Sequence, residues 1–199
     1  MLLYNSAISG NCYKVRLLLA QLGIEYETRE VDVVDRTTGR EFLDDINPAR
    51  RVPTLLLDDG RALAESNAIL CYFAEGTEYL PDDRYDRAQV MQWLFFEQYD
   101  HEPGVAVARF LLRYSGRAEE FAQLIAGRQQ QGRRALAAME RWLESHDFLA
   151  AGRYTIADIA LYAYTHAADE ARIELEQYPA VGEWLGRVRA QRGHVPMIT

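Results

Sequence analysis

Cysteine is scarce in this sequence, because only Cys12 and Cys71 occur among its 199 residues. Two cysteines are too few for a disulfide scaffold, and their separation matches no metal-binding spacing. We therefore predict two free thiols and no bound metal.

Long apolar runs are also absent. No stretch approaches the roughly 20 apolar residues that a membrane-spanning helix needs. Residues 1–4 run directly into polar residues, which is not the pattern of a signal peptide. We expect a cytoplasmic protein that does not bind membranes.

Positive charge is in deficit. Lysine and arginine number 22 against 30 aspartate and glutamate residues, which gives a net charge of −8. This balance argues against a nucleic-acid-binding surface and favours small molecules or protein partners. Hydrophobic residues make up 49% of the chain, so it should fold into one or two globular domains.

The first part of the chain predicts two strands joined by a helix. Residues 2–4 are a short apolar run followed by turn-forming residues. From Cys12 onward apolar residues recur at helical spacing as far as Gly23, which suits a helix C-cap. Residues 25–33 predict a second strand, parallel to the first because a helix connects them. Residues 36–46 predict a polar loop and a short helix.

Residues 51–69 predict a strand, a turn, a second strand and the start of a helix. Pro53 cannot donate to a sheet ladder, so it should head the strand. A cis peptide after Val52 would leave backbone groups free to pair with an extended, peptide-like ligand. Ser66 is a candidate N-cap, and the amides that open its helix favour a carboxylate. One end of the ligand should therefore be anionic.

The rest of the chain predicts a helical bundle. A polar segment at residues 80–83 precedes long amphipathic helices at about 84–114 and 118–145. Thr155 and Asp158 form a variant of the capping box ahead of another apolar helix. We assign this pair a structural role and not a catalytic one.

The combination of Val52-Pro53 with Glu65-Ser66-x-x-Ile69 resembles the glutathione site of the glutathione transferases. The resemblance implies an α/β, thioredoxin-like domain at residues 1–77 that binds glutathione. It further implies a linker at 78–85 and an all-α helical bundle at 86–199 that carries a pocket for the electrophile.

The same resemblance assigns roles within the glutathione site. Val52, followed by Pro53, is expected to pair with the cysteinyl backbone of glutathione. Glu65 and Ser66 are expected to hold its γ-glutamyl end. Arg51 is the candidate for the glycyl carboxylate, because an arginine beside the site would help an acidic protein bind an anionic tripeptide.

A thiolate needs hydrogen-bond donors and positive potential, and the N-terminus of the first helix supplies both. The nearby candidates are Tyr4, Ser6, Ser9, Asn11 and Cys12. Similarity to the serine-type subclasses places Ser9 at the catalytic hydroxyl. Residues 9–15 also resemble the bacterial nu-type enzymes, in which the positions of Ser9 and Asn11 flank the glutathione sulfur. Tyr4 is expected in the core and Cys12 in the helix.

The resemblance implies a homodimeric enzyme that adds the glutathione thiolate to a hydrophobic electrophile, with glutathione as co-substrate. The side chains expected to line the electrophile pocket are Tyr99, Glu102, Phe110 and Arg113. Two alternatives remain open. One is glutathione-dependent disulfide reduction, which the nu-type likeness favours. The other is a non-catalytic binding or regulatory protein with the same fold.

Overall fold

The structure, a computed structural model, describes residues 1–35 and 43–197. It contains two compact units, each with its own elements. The first unit consists of Met1–Glu75 together with Arg192–Thr199, and the second consists of Gly76–Gln191. Among the described residues, no helix combines the length and the apolar character needed to cross a bilayer.

The first unit is built on a four-stranded mixed sheet. Its strands are β1 (Leu2–Asn5), β2 (Glu27–Glu30), β3 (Thr54–Leu56) and β4 (Ala62–Ala64), in the spatial order β2-β1-β3-β4. Strand β2 runs parallel to β1, whereas β3 is antiparallel to both β1 and β4. The predicted parallel pair and the predicted hairpin are both present.

Two helices complete the first unit. Helix α1 (Gly10–Leu22) connects β1 to β2, and α2 (Ser66–Ala74) follows β4. Gly23 ends α1 at a φ of 66°, a left-handed conformation that glycine adopts without strain. Residues 36–42 of the predicted loop and short helix lie outside the described residues.

Apolar side chains cover both faces of this sheet, since successive residues of a strand point to opposite faces. One buried cluster consists of Leu3, Val15, Leu19, Leu55 and Ile69. The other consists of Tyr4, Val31 and Leu43. Tyr4 is only 7% exposed, so the structure places it in the core, as expected.

The second unit consists of helices. They are α3 (Arg84–Phe96), α4 (Glu102–Arg113), α5 (Ala122–Leu143), α6 (Ile156–Thr165) and α7 (Pro179–Arg189), with short 3-10 turns at Ala168–Ala171 and Leu175–Gln177. A π-helical turn, Glu97–His101, joins α3 to α4. The helix predicted at 84–114 is therefore one long helical segment, whose hydrogen bonding changes from α-helical to π-helical at Glu97–His101.

Helix α6 lies inside the second unit, and all ten of its residues are buried. A helix that is apolar on every side is typical of a protein interior. Thr155 Oγ1 accepts a hydrogen bond from the amide of Ala157, and Asp158 Oδ2 accepts one from the amide of Thr155 at 2.9 Å. The predicted capping box is therefore confirmed.

Helices α4 and α5 approach closely at a pair of glycines. A Cβ added to Gly104 would lie 2.7 Å from the Cα of Gly132 and closer still to its backbone nitrogen. Such distances are far below van der Waals contact, so only glycine fits at position 104 without moving a helix.

The boundary between the units differs from the sequence-based assignment, which began a linker at residue 78 and ran the helical domain to residue 199. In the structure the first unit ends at Glu75 and includes the tail from Arg192 onward. The buried Tyr13 of α1 donates its hydroxyl proton to the carbonyl of Val195 at 2.7 Å. A contact between residues so distant in sequence leaves no local pattern to detect.

Candidate functional site

Ser9 stands at the N-terminus of α1 as its N-cap. Its Oγ accepts a hydrogen bond from the amide of Cys12 at 3.3 Å. A serine hydroxyl has two lone pairs and one proton, so it can accept this bond and still donate its proton to a ligand. The cap role and the predicted catalytic role are therefore compatible.

The loop that leads into α1 is held by two charged side chains. Arg16 donates from Nη1 to Asn5 Oδ1 at 2.5 Å and to the carbonyl of Ser6 at 3.2 Å. It also donates from Nη2 to the carbonyl of Ala7 at 3.1 Å. Glu30 accepts from the amide of Ala7 at 3.1 Å and from the side-chain amide of Asn5. We call this arrangement the Arg16–Glu30 clamp.

Cys12 is a buried residue of α1, and its sulfur accepts a hydrogen bond from the amide of Ser6 at 3.3 Å. Burial raises the pKa of its thiol from 9.0 to about 11, although hydrogen bonds from Ser9 and Ser6 and the charge of Arg16 oppose the change. Cys12 therefore remains a neutral thiol near pH 7 and is a poor nucleophile.

The Val52-Pro53 peptide bond is cis, as the sequence predicted. Val52 is half-buried and Arg51 is exposed, whereas Pro53 is buried just ahead of β3. Asn47 supports this turn, because its Nδ2 donates to the carbonyl of Arg51 at 3.0 Å and to Thr54 Oγ1 at 2.8 Å. Sequence reasoning did not assign a role to Asn47.

Ser66 is the first residue of α2 and not its N-cap, so that prediction is wrong. Glu65 occupies the cap position with a φ of 67°, and its carbonyl accepts the helical hydrogen bond from the amide of Ile69 at 3.0 Å. The unusual backbone of Glu65 moves the helix start by one residue. Glu65 is exposed and Ser66 is 4% exposed, and Ser66 still contributes an amide that opens the helix.

The starts of α1 and α2 are joined by a direct hydrogen bond. Ser66 donates from Oγ to Asn11 Oδ1 at 3.2 Å. Lys14, which is fully buried, donates from Nζ to Ser66 Oγ at 3.4 Å. Asn11, which lies two positions after Ser9, is thus in contact with Ser66, the residue predicted to hold the γ-glutamyl end of glutathione. Sequence reasoning missed Lys14.

The four residues predicted for the electrophile pocket all lie in the second unit. Tyr99 belongs to the π-helical turn and is 81% exposed, and the other three belong to α4. Glu102 and Phe110 are partly buried, and Arg113 is exposed and lies 3.5 Å from Glu170 Oε2. Their role in a pocket stays a prediction.

His101 has a structural contact in the second unit. Its Nε2 lies 2.9 Å from Thr165 Oγ1, which itself donates to the carbonyl of Leu161. Within residues 1–35 and 43–197, histidine, cysteine, aspartate and glutamate form no group of three that could hold a metal ion.

A four-stranded mixed sheet with a cis proline before β3, followed by a helical unit, is typical of two-domain proteins with a thioredoxin-like first domain. The family comparison is specific within this class. Residues 3–78 match the glutathione S-transferase N-terminal domain, and residues 105–192 match the glutathione S-transferase C-terminal domain. The chain belongs to the glutathione S-transferase family, and the predicted fold and enzyme class are confirmed.

Known relatives extend over nearly the whole chain. The structure of a glutathione S-transferase from Pseudomonas fluorescens is 45% identical, with a TM-score of 0.96 over 100% of this chain and 98% of that one. The disulfide-bond oxidoreductase YfcG of Escherichia coli is 31% identical over 93% of this chain and 88% of its own length. Ure2p5 from Phanerochaete chrysosporium, crystallised with 1-(S-glutathionyl)-2,4-dinitrobenzene, is 25% identical, with a TM-score of 0.85 over 96% and 90%.

Proposed function

We propose that this protein adds the thiolate of glutathione to an electrophilic small molecule. The observation that carries the proposal is the hydrogen bond between Ser66 and Asn11, which joins two helix N-termini in one site. One helix start is suited to a carboxylate and the other to a thiolate, because both present backbone amides and the positive end of a helix dipole. Glutathione carries both groups.

The anionic ends of glutathione define the proposed binding mode. Its γ-glutamyl carboxylate binds the amide and hydroxyl of Ser66, while the exposed carboxylate of Glu65 accepts from the γ-glutamyl ammonium. The cysteinyl backbone pairs with Val52 beside the cis Pro53. The exposed Arg51 binds the glycyl carboxylate. Each group of the tripeptide then meets a partner of complementary charge or hydrogen-bonding character.

The sulfur of glutathione is the nucleophile in this proposal, because burial holds the pKa of Cys12 at about 11. The hydroxyl of Ser9 donates a hydrogen bond to the sulfur and so stabilises the thiolate. Asn11 adds a second hydrogen-bond donor. A hydroxyl donor together with a helix N-terminus is expected to lower the thiol pKa by about one to two units from its usual 8.5, or about 1.4–2.7 kcal/mol. This raises the thiolate fraction near neutral pH.

The electrophile is proposed to bind in the helical domain, where Tyr99, Glu102, Phe110 and Arg113 offer aromatic and polar contacts. We also propose that the enzyme is a cytoplasmic homodimer. Sedimentation equilibrium measures the dimer mass directly.

Ser9→Ala tests the catalytic role. Titration calorimetry gives glutathione affinity, and the ultraviolet absorbance of the thiolate, followed against pH, gives the pKa of the bound thiol. We expect Ser9→Ala to raise that pKa and lower kcat while glutathione affinity changes little, because Val52 and Ser66 bind other parts of the ligand. Ser9→Thr keeps the hydroxyl and is the matched control. Unchanged turnover and thiol pKa in Ser9→Ala would rule out its role.

Disulfide reduction with glutathione is the second candidate, favoured by the 31% identity with the oxidoreductase YfcG. It predicts turnover of hydroxyethyl disulfide and little conjugation of halogenated aromatics, whereas the transferase proposal predicts the reverse. A protein that does not bind glutathione in calorimetry would instead be a binding or regulatory protein with the same fold.

A further inference from the structure

The turn ahead of β3 is built around one carbonyl oxygen, that of Arg51. This oxygen accepts a hydrogen bond from Asn47 Nδ2 at 3.0 Å and another from Thr54 Oγ1 at 2.8 Å. Asn47 Nδ2 also donates to Thr54 Oγ1 at 2.8 Å, so the three groups form a closed ring of hydrogen bonds. We call this ring the Arg51 carbonyl anchor. Asn47 is 5% exposed and Thr54 is 0% exposed, so its donors are shielded from water.

Every hydrogen-bonding group of Asn47 is used within the turn. Its backbone amide donates to the carbonyl of Leu43 at 2.7 Å, and its backbone carbonyl accepts from the amide of Arg50 at 2.8 Å. Its Oδ1 accepts from the amide of Ala49 at 3.1 Å, which leaves the two protons of Nδ2 for the anchor. Leu43 belongs to the buried core and Thr54 begins β3, so the anchor is tied to the fold on both sides.

The anchor determines the direction of the Val52 amide. The peptide bond between Arg51 and Val52 is trans, and the N–H of a planar trans peptide points opposite to its C=O. Because the carbonyl of Arg51 is directed at two buried side chains, the N–H of Val52 is directed away from them. Among residues 1–35 and 43–197, no group accepts a hydrogen bond from this N–H, so it is available to a ligand.

We propose that Asn47 is a positioning residue for glutathione, which acts through the Arg51 carbonyl anchor to direct the N–H of Val52 at the cysteinyl carbonyl of the ligand. This inference rests on the proposed function, in which Val52 pairs with the cysteinyl backbone. The next residue, Pro53, has no N–H to offer. A donor that is already oriented loses little conformational entropy when the ligand binds, so the anchor increases affinity.

Three ligands separate the proposed hydrogen bond from the other contacts of glutathione. Glutathione has both the cysteinyl carbonyl and the glycyl carboxylate. Its glycyl ethyl ester keeps the carbonyl but lacks the carboxylate that is assigned to the side chain of Arg51. γ-Glutamylcysteamine ends before the cysteinyl carbonyl, so it has no acceptor for the N–H of Val52. All three ligands keep the thiol and the γ-glutamyl group.

Titration calorimetry of the wild type and Asn47→Ala with these ligands tests the proposal. We expect Asn47→Ala to weaken the binding of glutathione and of the ester by the same factor, about three- to tenfold, the size of one net hydrogen bond. γ-Glutamylcysteamine should bind both proteins equally. At saturating glutathione kcat should change little, because Ser9 and Asn11 make the proposed contacts to the sulfur.

Asp44→Ala is the matched control. The carboxylate of Asp44 is exposed and accepts a hydrogen bond from Arg50 Nη2 at 2.6 Å in the same turn. Its removal should leave the affinities for all three ligands unchanged. A loss as large as that of Asn47→Ala would show that any change in the turn weakens binding, and it would overturn the positioning role.

Each outcome decides a separate point. A wild-type protein that does not bind glutathione overturns the proposed function, and the positioning role with it. Wild-type binding that Asn47→Ala leaves unchanged overturns the positioning role alone. An equal loss for all three ligands also overturns it, because Asn47 would then only support the fold of the site. A loss for glutathione that is absent for the ester contradicts it as well, since the effect would lie at the side chain of Arg51.

Thr54 provides an independent test if Asn47→Ala does not fold. Thr54→Val keeps the shape of the side chain but removes the hydroxyl, so the carbonyl of Arg51 loses one of its two donors. Thr54→Ser keeps the hydroxyl. We expect Thr54→Val to bind glutathione and its ester about three- to tenfold more weakly than Thr54→Ser does, with no difference for γ-glutamylcysteamine. Equal glutathione affinities in the two variants refute the role of the anchor.

Discussion

The contact between α4 and α5 predicts a graded response to three glycine-to-alanine substitutions. At Gly104, an added Cβ would meet backbone atoms of α5, including the Cα of Gly132 at 2.7 Å. At Gly132, it would meet the side-chain tip of Ile173, also at 2.7 Å. At Gly127, on the exposed side of α5, it would meet nothing within 4 Å. The variants thus share one chemical change and differ in what opposes the new methyl group.

The magnitudes follow from these surroundings. Gly127→Ala should stabilise the protein by up to about 1 kcal/mol, because alanine favours a helix over glycine by that amount. Gly132→Ala should lie between the other two, because the methyl group must displace the buried side chains of Ile173 and Val105, at 2.7 and 3.2 Å, but no backbone atom. Gly104→Ala should cost about 2–3 kcal/mol, because backbone atoms cannot rotate away and the helices must separate.

Urea denaturation followed by far-UV circular dichroism measures these differences as changes in the free energy of unfolding. The expected order of stability is Gly127→Ala, then Gly132→Ala, then Gly104→Ala. Equal stability of Gly104→Ala and Gly127→Ala would refute the reasoning, since it would show that the two helices are not in backbone contact.

Two other predictions concern Asp158 and the Arg16–Glu30 clamp. Burial raises the pKa of Asp158 from 3.8 to about 6 against its hydrogen bonds with Trp184, Leu149 and Thr155. Between these two pKa values the folded protein binds more protons than the unfolded chain, so folding is favoured at the lower pH. The free energy of unfolding of the wild type, relative to that of Asp158→Asn, should therefore fall by up to about 3 kcal/mol between about pH 4 and pH 7. Urea titrations at these pH values measure this difference, and a difference that does not change with pH would contradict the prediction. Arg16→Gln should lower kcat about tenfold or more, because it loosens the loop ahead of Ser9. Glu30→Gln should lower kcat by a smaller factor in the Arg16→Gln background than in the wild type. Fully additive losses of kcat would show that the two residues act separately.

Local features were predictable from the sequence. The cis peptide after Val52, the hairpin that follows it and the capping box of Thr155 and Asp158 all occur as expected. Each depends on residues close together in the chain, whose turn and capping preferences are strong. The family resemblance rested on Val52-Pro53 and Glu65-Ser66-x-x-Ile69, which are local motifs of the same kind.

The exact start of α2 was not predictable. Serine is a common N-cap and glutamate is not, so Ser66 was the natural choice. In the structure Glu65 takes the cap position at positive φ, a conformation that few residues other than glycine adopt. Arg50 has a φ of 50° in the turn before β3, which sequence reasoning also did not anticipate. Such backbone conformations depend on the surrounding structure and not on the residue itself.

The supporting contacts of the site were also missed. Lys14 reads as an ordinary polar residue of an amphipathic helix, and Arg16 and Glu30 read as surface charges. Their partners lie on other elements, so only the folded arrangement reveals them. The predicted ligand-binding residues had recognisable motifs, whereas the residues that orient them had none.

The C-terminal tail that packs against α1 has a consequence for synthesis on the ribosome. The second unit is continuous in the chain, so it can complete its contacts as soon as Gln191 has emerged. The first unit needs Val195 to pair with the hydroxyl of Tyr13, although Met1–Glu75 emerges long before. During translation, which proceeds from the N-terminus, the first unit is therefore the last of the two to be finished, even though it is the first to be made.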